Sequence, residues 1–125
     1  MGNGKKFVIM ITSDDLSSGN SALQFTRAAI TKNHVVSCVF FFLDAVYTAL
    51  NTIDVPSDEH TLSQEWSTLA RRFPALSLIV CANSGLRRGV STSILAPGFI
   101  IGSLGYLVEA LTNADRVITF GSNRL

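Results

Sequence analysis

Short apolar runs alternate along this chain with stretches of a different period. Phe7-Val8-Ile9-Met10-Ile11, Val35–Leu43 (VVSCVFFFL), Leu76–Cys81 (LSLIVC) and Arg116–Phe120 (RVITF) are rich in β-branched and aromatic residues. Near-continuous runs of this length predict strands buried on both faces, the form that parallel sheets take. Thr12–Asn20 reads as a polar loop. Ser21–Lys32 then reads as a helix with Leu23, Phe25, Thr26, Ala29 and Ile30 on one broad face and Ser18 or Asn20 as its cap. Asp44–Leu50 predicts a short helix. A longer one opens at Ser57-Asp58-Glu59 with acidic residues in its first turn, runs through Trp66 and Leu69, and stops before Pro74 with Arg71 and Arg72 at its end. Ala82–Arg88 predicts a helix ended by Gly89. Val90–Pro97 is a connector, and the Gly-punctuated run from Gly98 to Leu111 becomes helical from about Ser103.

The resulting order is β-α-β-α-α-β-α-α-β. Strands alternating with helices imply right-handed crossovers and parallel pairing. The expected fold is one α/β domain over residues 1–125, an open, mostly parallel sheet with helices on both faces and flavodoxin-like layering. The 125 residues fit a single core.

Composition narrows the function classes. Hydrophobic residues make up 47% of the chain and charged residues 15%, and the mean hydropathy is +0.35. A domain this small has much surface for its volume, so the apolar excess is expected to lie at a subunit interface. The formal net charge of +1 gives no electrostatic case for direct nucleic-acid binding. Two cysteines, Cys38 and Cys81, are too few for a disulfide scaffold, and with His34 and His60 they lack zinc-ligand spacing. The apolar runs are too short for a membrane span or a signal-peptide core, and Lys6 stands where an N-myristoylation motif needs Ser or Thr. The expected compartment is the cytoplasm, with both thiols reduced.

Cys81 is the first candidate for chemistry. It ends a strand, where open α/β sheets place their ligands, and a helix follows at once. A helix N-terminus favours a thiolate over a thiol. Position alone leaves two readings open: a reactive thiol, or the small buried hydrophobe that most free cysteines are. Cys38 lies mid-strand and reads as structural. Arg87 and Arg88 fall roughly 9–10 Å along the helix axis beyond Cys81. They either cap the helix and pair with a neighbour or help dock an acidic partner.

Other patterns carry less. Asp14-Asp15 follow the first strand as in phospho-receiver domains, but Cys81 occupies the place of the third aspartate, so loop solvation or capping is the better account. Gly98, Gly102 and Gly105 are spaced GxxxGxxG and come after the third strand, which is not a dinucleotide fingerprint. The Thr12–Asn20 loop, with Ser13, Ser17, Ser18 and Gly19, is only loosely like a flavodoxin-type phosphate loop. His34 reads as a helix-end residue, His60 as a surface residue and Trp66 as core or interface.

Taken together and in order, FFFLDAVYTA, SDEHTLSQEWSTL, LIVCANSGLRRGV, GFIIGSLGYLVEAL and DRVITF resemble the TusD/DsrE group of sulfur-relay proteins, TusD most of all, over nearly the whole chain. The resemblance implies a cytoplasmic sulfurtransferase subunit of a heterohexamer with TusB-like and TusC-like chains. Cys81, by position, would accept sulfur as a persulfide from a TusA-like carrier. The sulfur would pass towards a TusE-like protein for 2-thiouridine synthesis at the tRNA wobble position, or serve sulfur oxidation as in DsrE-type relatives. Such transfer resembles thiol–disulfide exchange and needs no metal or organic cofactor. It does need a thiol that is exposed at the rim of the sheet. The rivals are a scaffold subunit with an inert Cys81 and, more remotely, a flavodoxin-like nucleotide or flavin binder.

Overall fold

The computed structural model describes residues 4–51 and 61–121. The four apolar runs form β1 (Lys6–Ile11), β2 (Val35–Phe41), β3 (Ser77–Cys81) and, last in the chain, β5 (Arg116–Phe120). The sequence reading passed over a fifth strand, β4 (Phe99–Gly102). All five pair in parallel, in the order β4-β3-β2-β1-β5. β4 escapes pattern analysis because it has only four residues and runs without a break into the next helix.

The helices differ from expectation mainly at their starts. α1 (Leu16–Thr31) begins five residues before Ser21, and its cap is Asp15, not Ser18 or Asn20. The Asp15 carboxylate accepts from the Ser18 backbone N–H at 2.9 Å and from the hydroxyls of Ser18 and Ser13 at 2.9 and 2.6 Å. A serine-rich stretch that reads as loop is thereby recruited as a capped first turn. Gly19 has a packing reason to sit in this helix, since a Cβ there would come within 2.7 Å of Leu62 Cδ1.

β2 stops at Phe41, short of the expected Leu43, because Leu43 takes φ 52° and opens a 3-10 helix, Leu43–Ala49. α2 (Leu62–Arg72) starts with a reciprocal capping box between Thr61 and Gln64. The start expected at Ser57, and His60 with it, lies outside the described residues. α3 (Ala82–Arg87) follows β3 directly, and α4 (Leu104–Thr112) starts about where expected, with Ser103 as its cap.

Crossover direction sorts the layers. The chain moves one way through β1, β2, β3 and β4, then returns across the whole sheet to β5. The right-handed rule therefore puts α4 on the opposite face from α1 and α2. One core gathers Ile9, Ile11, Val39, Phe41, Leu78 and Val80 under α1 and α2. A smaller one gathers Val8, Cys38, Phe40, Ile79 and Cys81 against Leu107, Ala110 and Leu111 of α4. Among the described residues, α4 is the helix that covers this second face. Ile100, Leu104, Val108 and Val117 stay 45–61% exposed. No helix among the described residues is long and apolar enough to cross a membrane.

Candidate functional site

The carboxyl edge of the sheet carries the site. Cys81 is the last residue of β3 and the N-cap of α3, with φ −61° and ψ 123°. Its position agrees with the sequence reading, but its exposure does not. The expected rim thiol is only 2% exposed. Strand alternation gives the reason: Ile79 and Cys81 point to the same face, and that is the face α4 covers.

Cys38 lies on the same face but further back. Four residues separate it from Phe42, which stands beside Cys81 one step past the Phe41–Val80 pair. At about 3.3 Å per residue the two cysteines are about 13 Å apart along the strands, well outside disulfide reach. Both are free. Burial pushes the Cys38 thiol from an ordinary 9.0 up to about 12. The unfolded thiol loses its proton first as pH rises through about 9, so stability falls from there towards pH 12. Cys38→Ala is expected to flatten that alkaline loss in urea titrations run at stepped pH, and an unchanged alkaline limb would assign the loss to other groups.

α3 is locked to the exit of β2. The buried Ser84 hydroxyl accepts from the Leu43 N–H at 2.9 Å, at the residue whose backbone sits in the left-handed region. Arg88 donates from Nε to Asp44 Oδ1 at 2.9 Å and from Nη1 to the Ser84 carbonyl at 3.2 Å. Arg88 therefore caps the end of α3 and pairs within its own chain, while Arg87 points to solvent. Ser84 and Asp44 escaped the sequence reading. The signal available was the i,i+4 spacing of Ser84 and Arg88, which puts them on one helix face. Ser84→Ala should lower the unfolding free energy by ~1–2 kcal/mol, because the Leu43 N–H loses its acceptor. Chemical denaturation measures this directly.

The loop after β1 forms a separate cleft of about 460 Å³, lined by Thr12, Ser13, Asp14, Asp15, Leu43, Asp44 and Arg88. Three carboxylates and one guanidinium already paired with Asp44 do not suit a phosphate. The α1 N-terminus beneath is capped by Asp15. This geometry counts against the nucleotide-binding reading of the loop. His34 Nδ1 accepts from the Lys5 N–H at 2.9 Å, far from Cys81 at the amino end of the sheet. Trp66 is fully buried core. Of the three glycines, Gly98 needs its positive φ of 91°, and Gly102 is the ladder partner of Cys81.

Comparison with known proteins agrees with this architecture. A family model for the DsrE/DsrF-like family matches residues 5–120. The crystal structure of the YchN protein from E. coli superposes with a TM-score of 0.76 at 23% identity, covering 94% of this chain and 99% of that one. MTH1491 from Methanobacterium thermoautotrophicum, a protein of unknown function, gives a TM-score of 0.72 at 17% identity, covering 92% and 98%. Identities this low show a shared fold alone. The family match spans almost every described residue, and the chain belongs to the DsrE/DsrF-like family, a family linked in general to sulfur relay.

Proposed function

We propose that the chain is a TusD-type sulfurtransferase subunit in which Cys81 carries sulfur as a persulfide. One observation carries the reading. Of the two cysteines, Cys81 alone lies at the carboxyl edge of the sheet and at the N-cap position of a helix, whereas burial drives Cys38 into a thiol that stays protonated. The transfer is redox-neutral. The Cys81 thiolate attacks the outer sulfur of a donor persulfide, a new S–S bond forms at Cys81, and the donor's S–S bond breaks. The donor leaves as a thiolate, and the outer sulfur keeps its proton and ends on Cys81 as the persulfide S–H. The donor in this reading is a TusA-like carrier and the acceptor a TusE-like protein, with the sulfur destined for tRNA 2-thiouridine in the cytoplasm. TusB-like and TusC-like subunits would cover the apolar residues left exposed around α4, which is support for an assembly rather than a lone chain.

A second reading has its own support, since a cysteine 2% exposed suits a scaffold subunit with an inert thiol. The test follows labelled sulfur from a persulfidated carrier onto the purified chain, alone and with its partner subunits. Uptake that a TusE-like acceptor then removes supports the relay. No uptake in either state, with native Cys81 resisting alkylation throughout, leaves the scaffold.

A further inference from the structure

Cys81 is 2% exposed, so its thiol is reached only when a neighbour moves. Most of the neighbours are fixed. Ile79 and Leu107 are buried. Gly102, the ladder partner on β4, is closely packed: a Cβ there would lie 2.6 Å from Ile79 Cγ2, so Ile79 fills that flank. Phe42 is different. It packs against the same cluster as Cys81, one step past the Phe41–Val80 pair, yet it is half-buried. Its ring lies 4.8 Å from that of Phe40. Phe42 is therefore the large side chain that borders both the thiol's cluster and the solvent at the carboxyl edge. The other half-buried members of the cluster lie elsewhere. Met10 is beyond β2, and Ala110, Leu111 and Ala114 lie towards the amino edge, where α4 ends.

The backbone beside Phe42 is held under strain. Leu43 sits at φ 52°, where its Cβ crowds the carbonyl oxygen that follows. Two contacts from α3, the helix that opens at Cys81, keep it there. The Ser84 hydroxyl accepts from the Leu43 N–H at 2.9 Å, and Arg88 holds Asp44 at 2.9 Å. The Phe42 carbonyl, in the same peptide as the Leu43 N–H, accepts from the Ala45 N–H at 2.9 Å. Two bonds thus fix this peptide, and losing the one to Ser84 leaves a single bond against the strain. The flanks are anchored, since Ala45, Val46 and Ala49 are buried and β2 is held by its ladder as far as Phe41. The adjustment therefore falls on the Phe42–Leu43 peptide, and when it turns, Phe42 loses the backbone setting that fixes its rotamer. We propose that Phe42 is a gate over Cys81, held shut by the Leu43 turn and its latch on Ser84 and Arg88, and that a sulfur donor reaches the thiol when the turn relaxes. The proposal rests on Cys81 as the acceptor. It makes Phe42, Leu43 and Ser84 positioning residues with no part in the bond exchange. Leu43 is exposed, so the strained residue itself faces an arriving carrier.

The test measures labelling of native Cys81 by methyl methanethiosulfonate in the purified full chain, with the two cysteines resolved by fragment mass. Cys38, in the same cluster but about 13 Å back along the strands, reports general loosening. Ser84→Ala is expected to speed Cys81 labelling about tenfold with Cys38 unchanged, because the Leu43 N–H loses its acceptor. Phe42→Ala, which removes the ring, should speed it at least as much. The double variant should be no faster than Phe42→Ala alone, since a latch has no effect without its gate. Independent packing effects would multiply instead, and that outcome overturns the gate. An unchanged Cys81 rate in either single variant overturns it too. Should Ser84→Ala speed both thiols, Phe42→Ala decides. Faster Cys81 labelling at a constant Cys38 rate supports the gate, and parallel speeding of both thiols overturns it. Sulfur uptake from a persulfidated carrier, measured on the same proteins, separates this from the relay reading. Selective speeding with no uptake by the wild type keeps the gate and removes the relay. Uptake by the wild type, with unchanged Cys81 labelling in both variants, keeps the relay and removes the gate.

Discussion

Replacing Trp66 with alanine is expected to lower the unfolding free energy by ~3–5 kcal/mol, the range for deleting a fully buried large aromatic side chain. Trp66 has no exposed surface and meets the Phe41 ring edge-on, centroids 5.7 Å apart and planes at 88°. Phe41 in turn meets Phe99 of β4 at 5.3 Å. The indole therefore links α2 through β2 to the edge strand, and the loss should fall on that edge as well as on α2. Trp66→Phe sharpens the prediction. The indole N–H is buried without a hydrogen-bond partner among the described residues, and such a group costs about 1–3 kcal/mol. Phenylalanine removes that cost while giving up some volume, so its effect should stay within ~1 kcal/mol of wild type. Urea denaturation with matched m-values reads both variants. A Trp66→Phe loss as large as that of alanine would mean that the N–H is bonded after all.

Cys81→Ala is expected to abolish sulfur flow from a persulfidated carrier to a TusE-like acceptor in a reconstituted complex, with no residual transfer above background. Cys38→Ala should leave that flow intact. The contrast follows from where the two thiols sit. Cys81 ends its strand at the edge that carries the loops. Cys38 is held in mid-strand with its thiol pushed up to about 12 by burial, and the two differ in place along the strand rather than in exposure, 1% against 2%. Alanine serves better than serine at both positions, since a hydroxyl in these apolar clusters would add an unmet hydrogen-bonding group. Stability of the Cys81→Ala chain, followed in parallel, shows whether lost transfer reflects lost chemistry. A fold as stable as wild type with no transfer isolates the thiol as the working group.

β1, β2 and β3 were legible in the sequence, because burial leaves near-unbroken apolar runs; β5 was legible from its β-branched and aromatic residues although it is an edge strand with Arg116, Val117 and Thr119 exposed. β4 was not. Phe99-Ile100-Ile101-Gly102 continues into the apolar start of α4, and nothing in composition separates the two. The start of α1 was missed for a different reason. Its first turn is made of Leu16, Ser17, Ser18, Gly19 and Asn20, mostly poor helix formers, and the helix survives there through the Asp15 cap and the packing of Gly19 under Leu62. These two omissions differ in their consequences for the site. Missing the start of α1 changes only how the β1 loop is drawn. Missing β4 hides the long return crossover, and with it the fact that α4 lies over Cys81. The cysteine's place at the strand end was therefore readable from local pattern, whereas its burial depended on an element four residues long at the far edge. The i,i+4 spacing puts Ser84 and Arg88 on one helix face, but their partners Leu43 and Asp44 needed the packing of α3 onto the β2 exit, which local spacing does not show.

Fragment mass measurement on the intact chain after exposure to a persulfidated carrier protein is the most direct test of Cys81 as a sulfur carrier. The account predicts one added sulfur atom, located on the fragment that contains Cys81, removed by a thiol reductant and absent from the Cys81→Ala chain. Sulfur found on Cys38 instead, or none on Cys81 even when the partner subunits are bound, would contradict it.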